Sequence, residues 1–178
     1  MKKGAALREA LDAAACAAED EALAALLEQL DGRGYAFTTP NNRTYRILRR
    51  RDGARLAKDL RDVLGWSLPY VPGSIDPGIE TLLACAGQGV SEPGRDRSTV
   101  RVSTVEGRLF LHSAYGAGRE TVFLGPDTYR FVQFLKVELA TNPSAASLLD
   151  IGTGAGVGGV IAAEITGLHL RLQAQLRL

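Results

Sequence analysis

The sequence predicts an α/β chain, α+β overall: mainly helical at first, then closing on the opening strand–turn–helix of an open sheet. Three observations predict it. Apolar residues recur at helical spacing through about residue 86, and the period switches to two between Val100 and His112. A glycine-rich run, SLLDIGTGAGVGG over 147–159, then separates a short apolar segment from a second one. The 178 residues suit one full domain, or a small domain with part of another. Cys16 and Cys85 cannot make a disulfide framework, which points to a reducing cytoplasm. Glu9 and Asp12 place charge in the segment after Met-Lys-Lys, so a secretory signal is not expected. No uncharged apolar run reaches the length of a membrane span, and the expectation is a soluble, cytoplasmic protein without a membrane partner.

The first element is a long helix over 5–30, where eleven alanines favour the helix and Leu7, Leu11, Leu23, Leu26, Leu27 and Leu30 form a stripe. Asp31-Gly32 and Gly34 end it. Pro40-Asn41-Asn42 opens a second helix containing Tyr45, Ile47 and Leu48, closed by Asp52-Gly53. A third is expected from Arg55 to Leu64. Pro and Gly then break regular structure, and Trp66, Leu68, Tyr70 and Val71 are expected to lie over the core from a loop. A fourth helix runs from Asp76 or Pro77 to Ala86. Cys85 within it reads as a small buried hydrophobe.

Val100 and Val102 alternate with Arg101 and Ser103, and Leu109 and Leu111 with Arg108, Phe110 and His112, around Glu106-Gly107, the signature of a tight hairpin. Helices followed by such a hairpin have the order of a winged helix. A recognition domain is therefore expected over 1–120 and a second domain over 121–178. In the latter, Gly125-Pro126-Asp127 starts a helix that buries Val132, Leu135 and Leu139 and stops at Asn142-Pro143-Ser144. Phe123, Tyr129 and Phe131 read as core.

Charge is uneven. Residues 43–61 hold eight basic and two acidic side chains, a net of +6, and arginine outnumbers lysine 17 to 4. Planar guanidinium groups suit phosphate, so Arg43, Arg46, Arg49, Arg50 and Arg51 are candidate RNA contacts. The plainer reading, a solvated helix face, is favoured.

The chemistry lies in 147–159. Leu148, Leu149 and Ile151 make a short buried strand, and five glycines come before the apolar helix that starts at Val160. Glycine lets a ligand approach the backbone, and the free N–H groups of a helix start face it. Gly154, Gly156 and Gly159 satisfy G-x-G-x-x-G, but a dinucleotide site also wants an acid about 20 residues later, and 172–178 has none. The acid instead precedes the glycines, in the order Asp150, Gly152, Gly154, Gly156.

That order resembles motif I of class I S-adenosylmethionine-dependent methyltransferases, and VFLGPDTYRFVQFL resembles the element before motif I in their "small-domain" branch. The likeness covers about 121–167. It implies an incomplete Rossmann-like domain that binds S-adenosylmethionine, with Asp150 orienting the methionine amino group and Gly152, Thr153, Gly154, Ala155 and Gly156 cradling the methionine and ribose. It also implies methyl transfer to an acceptor, RNA or a protein glutamine in that branch. Two family features do not follow Gly156: the ribose-binding acid and the Asn/Asp-Pro-Pro-aromatic loop. A chain truncated after motif I is the expectation, with no catalytic residue assigned.

The strict alternation over 168–178 predicts a half-buried strand, whose free edge invites a homodimer. His112, His169 and the cysteines show no metal-ligand spacing, and His112 reads as exposed or satisfied. The rival function is a non-catalytic RNA- or protein-binding module with a remnant glycine turn.

Overall fold

The computed structural model describes residues 2–51, 55–115, 121–141, 147–168 and 170–173. Its contacts divide the chain into two compact units, the first comprising 1–35 and 54–100, the second 36–53 and 101–178. The boundary expected at 120/121 therefore falls inside the second unit. The reason is the core that the 100–113 hairpin shares with the elements after it: Val105 and Phe110 are buried with Leu124, Val132, Val157 and Ile161.

In the first unit, α1 (Lys2–Gly32) packs on α4 (Pro77–Cys85), with α3 (Leu60–Leu64) and the strands β1 (Gly89–Glu92) and β2 (Arg95–Ser98) completing it. Helix α2 (Asn42–Arg51) belongs to the second unit. The expected leucine stripe narrows to a four-residue period on α1. Ala22, Leu26 and Leu30 are buried, as are Ile79 and Leu83 on α4, each large side chain contributing about 1.5–3 kcal/mol. Leu7 and Leu11 lie outside the described side chains. A Cβ at Gly78 would lie 3.0 Å from the capping Asp76 Oδ1 and 3.4 Å from the Gln29 side chain of α1. Asp76 caps α4 by accepting from Ile79 N–H at 3.1 Å and pairs with Arg33 at 2.9 Å. That backbone hydrogen bond, with Arg33 beside it, holds the Asp76 carboxyl below the usual carboxylate range.

Helix α3 is half the expected length. Its N-cap Asp59 accepts from Asp62 N–H at 2.9 Å, so the helix cannot start at Arg55. The buried Asp62 carboxylate accepts from Arg55 at 2.5 Å and from Lys58 N–H at 3.0 Å, which ties 55–58 to the helix start without joining them to the helix. Leu68 and Tyr70 are buried as expected, whereas Val71 is exposed. Tyr70 exchanges backbone hydrogen bonds with Asp96 at 2.9 and 2.8 Å, which lays this loop along the antiparallel β1–β2 hairpin. Burial, with Asp96 and Glu80 nearby, pushes the Tyr70 hydroxyl pKa up. Cys85 is exposed, contrary to its apolar neighbourhood in sequence, because the face α4 buries is that of Ile79 and Leu83.

In the second unit, β3 (Val100–Val105) and β4 (Arg108–Ser113) form the expected hairpin. Glu106 and Gly107 both take positive φ, 49° and 77°, as a two-residue turn of this kind requires. The strain at a non-glycine is offset by anchoring: Lys136 and Gln133 donate to the Glu106 carboxylate at 2.6 and 2.9 Å. Lys136 chiefly holds the Glu106 carboxyl below its ordinary range. Phe110 and His112 are the buried side chains of β4, with Leu109 and Leu111 half-buried, so the inward face is the reverse of the one the leucines suggest.

Helix α5 (Pro126–Thr141) buries Val132, with Leu135 and Leu139 half-buried, and packs on α6 (Val157–Thr166). Strand β5 (Leu148–Ile151) runs parallel to β6 (Leu170–Gln173), Leu148 opposite Leu170 and Asp150 opposite Leu172. β5, α6 and β6 thus form one βαβ unit. Of the strand expected over 168–178, residues Leu170–Gln173 pair in parallel with β5, and the burial of their side chains lies outside the described residues. Leu149 and Ile151, expected to be buried, are exposed, Ile151 at 81%. The covered face of β5 is the one carrying Leu148 and Asp150. Asp52-Gly53, Asn142-Pro143-Ser144, His169 and 174–178 lie outside the described residues. Among the described residues no helix is long and apolar enough to cross a membrane.

Candidate functional site

The glycine turn joins β5 to α6. Gly152, Gly154 and Gly156 all adopt positive φ, at 74°, 52° and 75°, a region that costs an L side chain roughly 1–2 kcal/mol. The glycines are thus required by backbone shape. Gly156 precedes α6 in the left-handed conformation and offers no side-chain cap. Capping comes from Asp150 instead, whose Oδ2 accepts from Gly159 N–H at 2.8 Å. An acid at the strand's end therefore satisfies a donor of the helix start across the turn.

Gly158 lies between Asp150 and Phe131. A Cβ there would meet Phe131 Cε1 at 2.8 Å and Asp150 Oδ2 at 3.4 Å. At Gly154 a Cβ would lie 3.6 Å from the Phe123 carbonyl, so the segment before α5 runs beside the turn. Together they border a cleft of about 300 Å³, lined by Phe123, Phe131, Asp150, Gly152, Gly154 and Gly158 among others. Thr153 and Ala155 also line it, whereas Gly156 is buried and does not. Asp150 and the glycine turn are thus gathered at one cleft.

Phe123 and Phe131 are not core residues. They are 56% and 47% exposed, and both line this cleft. Only Tyr129 packs against the core, and its hydroxyl accepts from Thr39 N–H at 3.0 Å.

A second cleft, of about 330 Å³, adjoins the first and shares Phe123 and Asp127 with it. Its other walls include Asn41 and Asn42 at the start of α2, Arg101 of β3 and Arg130 of α5. Asn41 accepts from Thr44 N–H at 2.8 Å, which caps α2. Arg101 is only 7% exposed. Its Nε donates to the Ser113 carbonyl at 3.1 Å, and its guanidinium lies 5.9 Å from the centre of the Tyr45 ring, itself stacked on Tyr115. The sequence carried no signal for this cleft, since its walls come from three separate segments, around Asn41, Arg101 and Phe123 to Arg130.

Thr39, on the wall of the second cleft, leads to a buried polar chain. Its hydroxyl lies 2.5 Å from Ser103 Oγ, which lies 2.8 Å from His112 Nε2. His112 is 2% exposed, and its buried Nδ1 has no hydrogen-bond partner among the described residues. Burial, and secondarily the charge of Arg101, pushes its pKa down to about 3. The imidazole is therefore neutral at pH 7.

Among the candidate RNA contacts, Arg43, Arg46 and Arg50 are exposed on α2. The side chains of Arg49 and Arg51 lie outside the described residues. No group of three or more His, Cys, Asp and Glu suited to a metal occurs among the described residues. Comparison with family models, with curated proteins and with solved structures finds no match.

Proposed function

We propose that the chain carries the S-adenosylmethionine site of a methyltransferase, built on Asp150 and the turn from Gly152 to Gly156. The observation that carries the reading is the arrangement of that turn. Three glycines at positive φ follow an acid at the strand's end, and two of them, Gly152 and Gly154, border a cleft against exposed aromatic rings. A wall that includes Gly152, Gly154 and Gly158 suits a ligand laid against backbone, and the aromatic walls suit its apolar parts.

In this reading the turn from Gly152 to Gly156 supports the methionine and ribose portions. Asp150 keeps one oxygen on Gly159 N–H, and the rest of its acceptor capacity serves an ammonium group. The cofactor supplies an electrophilic methyl group on a sulfonium centre. The protein's part is to hold the donor and exclude water, since such transfer rests on proximity and orientation. Phe123 and Phe131 provide the apolar enclosure.

Thermal melting tests the reading. S-adenosylhomocysteine at a concentration well above its Kd is expected to raise the Tm, as any ligand specific to the native state does, and NADH is not. An equal response to NADH, or none to either, would reject it.

A second reading, an RNA-binding surface on α2, is favoured by the exposure of Arg43, Arg46 and Arg50. It is compatible with the first, since RNA would then be the methyl acceptor. Unit 1 also bears on recognition, because three helices followed by the β1–β2 hairpin have winged-helix order, although with a different hairpin from the one the sequence singles out.

A further inference from the structure

The two clefts meet at one side chain. Phe123 lines both, and its ring rests over Gly125, where a Cβ would collide with Cζ and come within 3.0 Å of Cε1. Gly125 is buried with φ outside the positive region, so backbone shape does not demand glycine there. What the glycine provides is the seat for the ring. A phenylalanine 56% exposed and seated in this way contributes little to the core, and its ring borders both clefts.

On the far side of Phe123, two guanidinium groups border the second cleft. Arg101 is held in place by the Ser113 carbonyl and the Tyr45 face. Arg130 is 84% exposed, with its nearest carboxylate, Asp127, 3.9 Å away. One buried and one exposed guanidinium on a single concavity suit a ligand bearing carboxylate or phosphate oxygens. The geometry points to the second cleft as a separate ligand site for an oxyanion-bearing group, with Phe123 as the positioning residue that divides it from the glycine turn. That this ligand is the methyl acceptor rests on the cofactor reading; the site itself does not.

The test uses the full chain labelled with 4-fluorophenylalanine at its five phenylalanines and observed by fluorine NMR. Phe123→Leu identifies the Phe123 resonance. Inorganic phosphate, acetate and S-adenosylhomocysteine are titrated separately. Phosphate or acetate is expected to move the Phe123 signal saturably, and whichever does so names the oxyanion. Arg130→Gln, an exposed change that spares the fold, is expected to weaken that response at least threefold and leave the S-adenosylhomocysteine response unchanged. Gly125→Ala is expected to shift the Phe123 signal without any ligand. A Phe123 signal unmoved by both anions, or an anion response equal in Arg130→Gln, would overturn the site. Failure of S-adenosylhomocysteine alone would reject the cofactor reading and the acceptor role while leaving the anion site standing.

Discussion

The Asp150 carboxylate accepts from the Gly159 amide at 2.8 Å, so the last polar residue of β5 caps the next helix, across a turn of glycines. One side chain therefore couples the stability of the βαβ unit to the shape of the cleft. Replacing it separates the two roles. Asp150→Asn keeps an oxygen for Gly159 and is expected to cost only a few tenths of a kcal/mol, whereas Asp150→Ala costs about 1 kcal/mol. Both are expected to weaken S-adenosylhomocysteine binding about tenfold or more. Urea denaturation and calorimetry on the same pair of variants check it.

Gly158 is a contact glycine and Gly156 a conformational one. Gly158→Ala forces the Phe131 ring to move and is expected to cost about 1–3 kcal/mol, as overpacking does. Gly156→Ala at φ 75° is expected to cost roughly 1–2 kcal/mol. Adding Phe131→Leu should relieve the first and leave the second unchanged. Equal relief in both would show that crowding at Gly158 is not the cause.

His112 makes stability depend on pH. Its pKa is about 3 in the folded chain and near 6.5 when unfolded, so the unfolded state binds the extra proton between these values. Stability is then full above about pH 6.5 and falls as pH drops, with a slope approaching about 1.4 kcal/mol per pH unit. Between pH 6.5 and 5, above the range where most carboxylates titrate, wild type is expected to lose urea resistance. His112→Gln, less stable at pH 7, should show a flatter profile. Parallel profiles would place the titration elsewhere.

Exposed arginines on α2 give the RNA reading a quantitative form. Against single-stranded RNA, affinity is expected to fall with salt, with a slope of about 0.7 for each phosphate contacted. Changing Arg43, Arg46 and Arg50 together to Gln should weaken binding and lower that slope by about 2. Fluorescence anisotropy over a salt series measures both. An unchanged slope would leave α2 a solvated helix face.

The strand–glycine–helix unit and the β3–β4 hairpin were legible because their signals are local: a run of glycines after a short apolar segment, and Glu106-Gly107 between alternating residues. The β1–β2 hairpin was not, since its strands bury little and show no apolar alternation. Only Pro93-Gly94 marks its turn. The exposure of Phe131 was illegible for another reason. Helix α5 carries apolar residues on two faces, Phe131, Phe134 and Val137 as well as Val132, Leu135 and Leu139, and periodicity cannot say which one is covered. The second cleft was beyond local reading altogether, because Asn41, Arg101 and Arg130 meet only through the fold.

The central claim is that the glycine turn beside Asp150 holds S-adenosylmethionine. Its most direct test is calorimetric titration of S-adenosylhomocysteine into the purified chain and into Gly154→Val, both checked for folding by circular dichroism. The predicted result is saturable one-site binding to wild type that Gly154→Val abolishes, since the branched side chain meets positive φ and the Phe123 carbonyl. A folded wild-type chain that gives no heat at several temperatures, or a folded variant that binds as tightly as wild type, would contradict it.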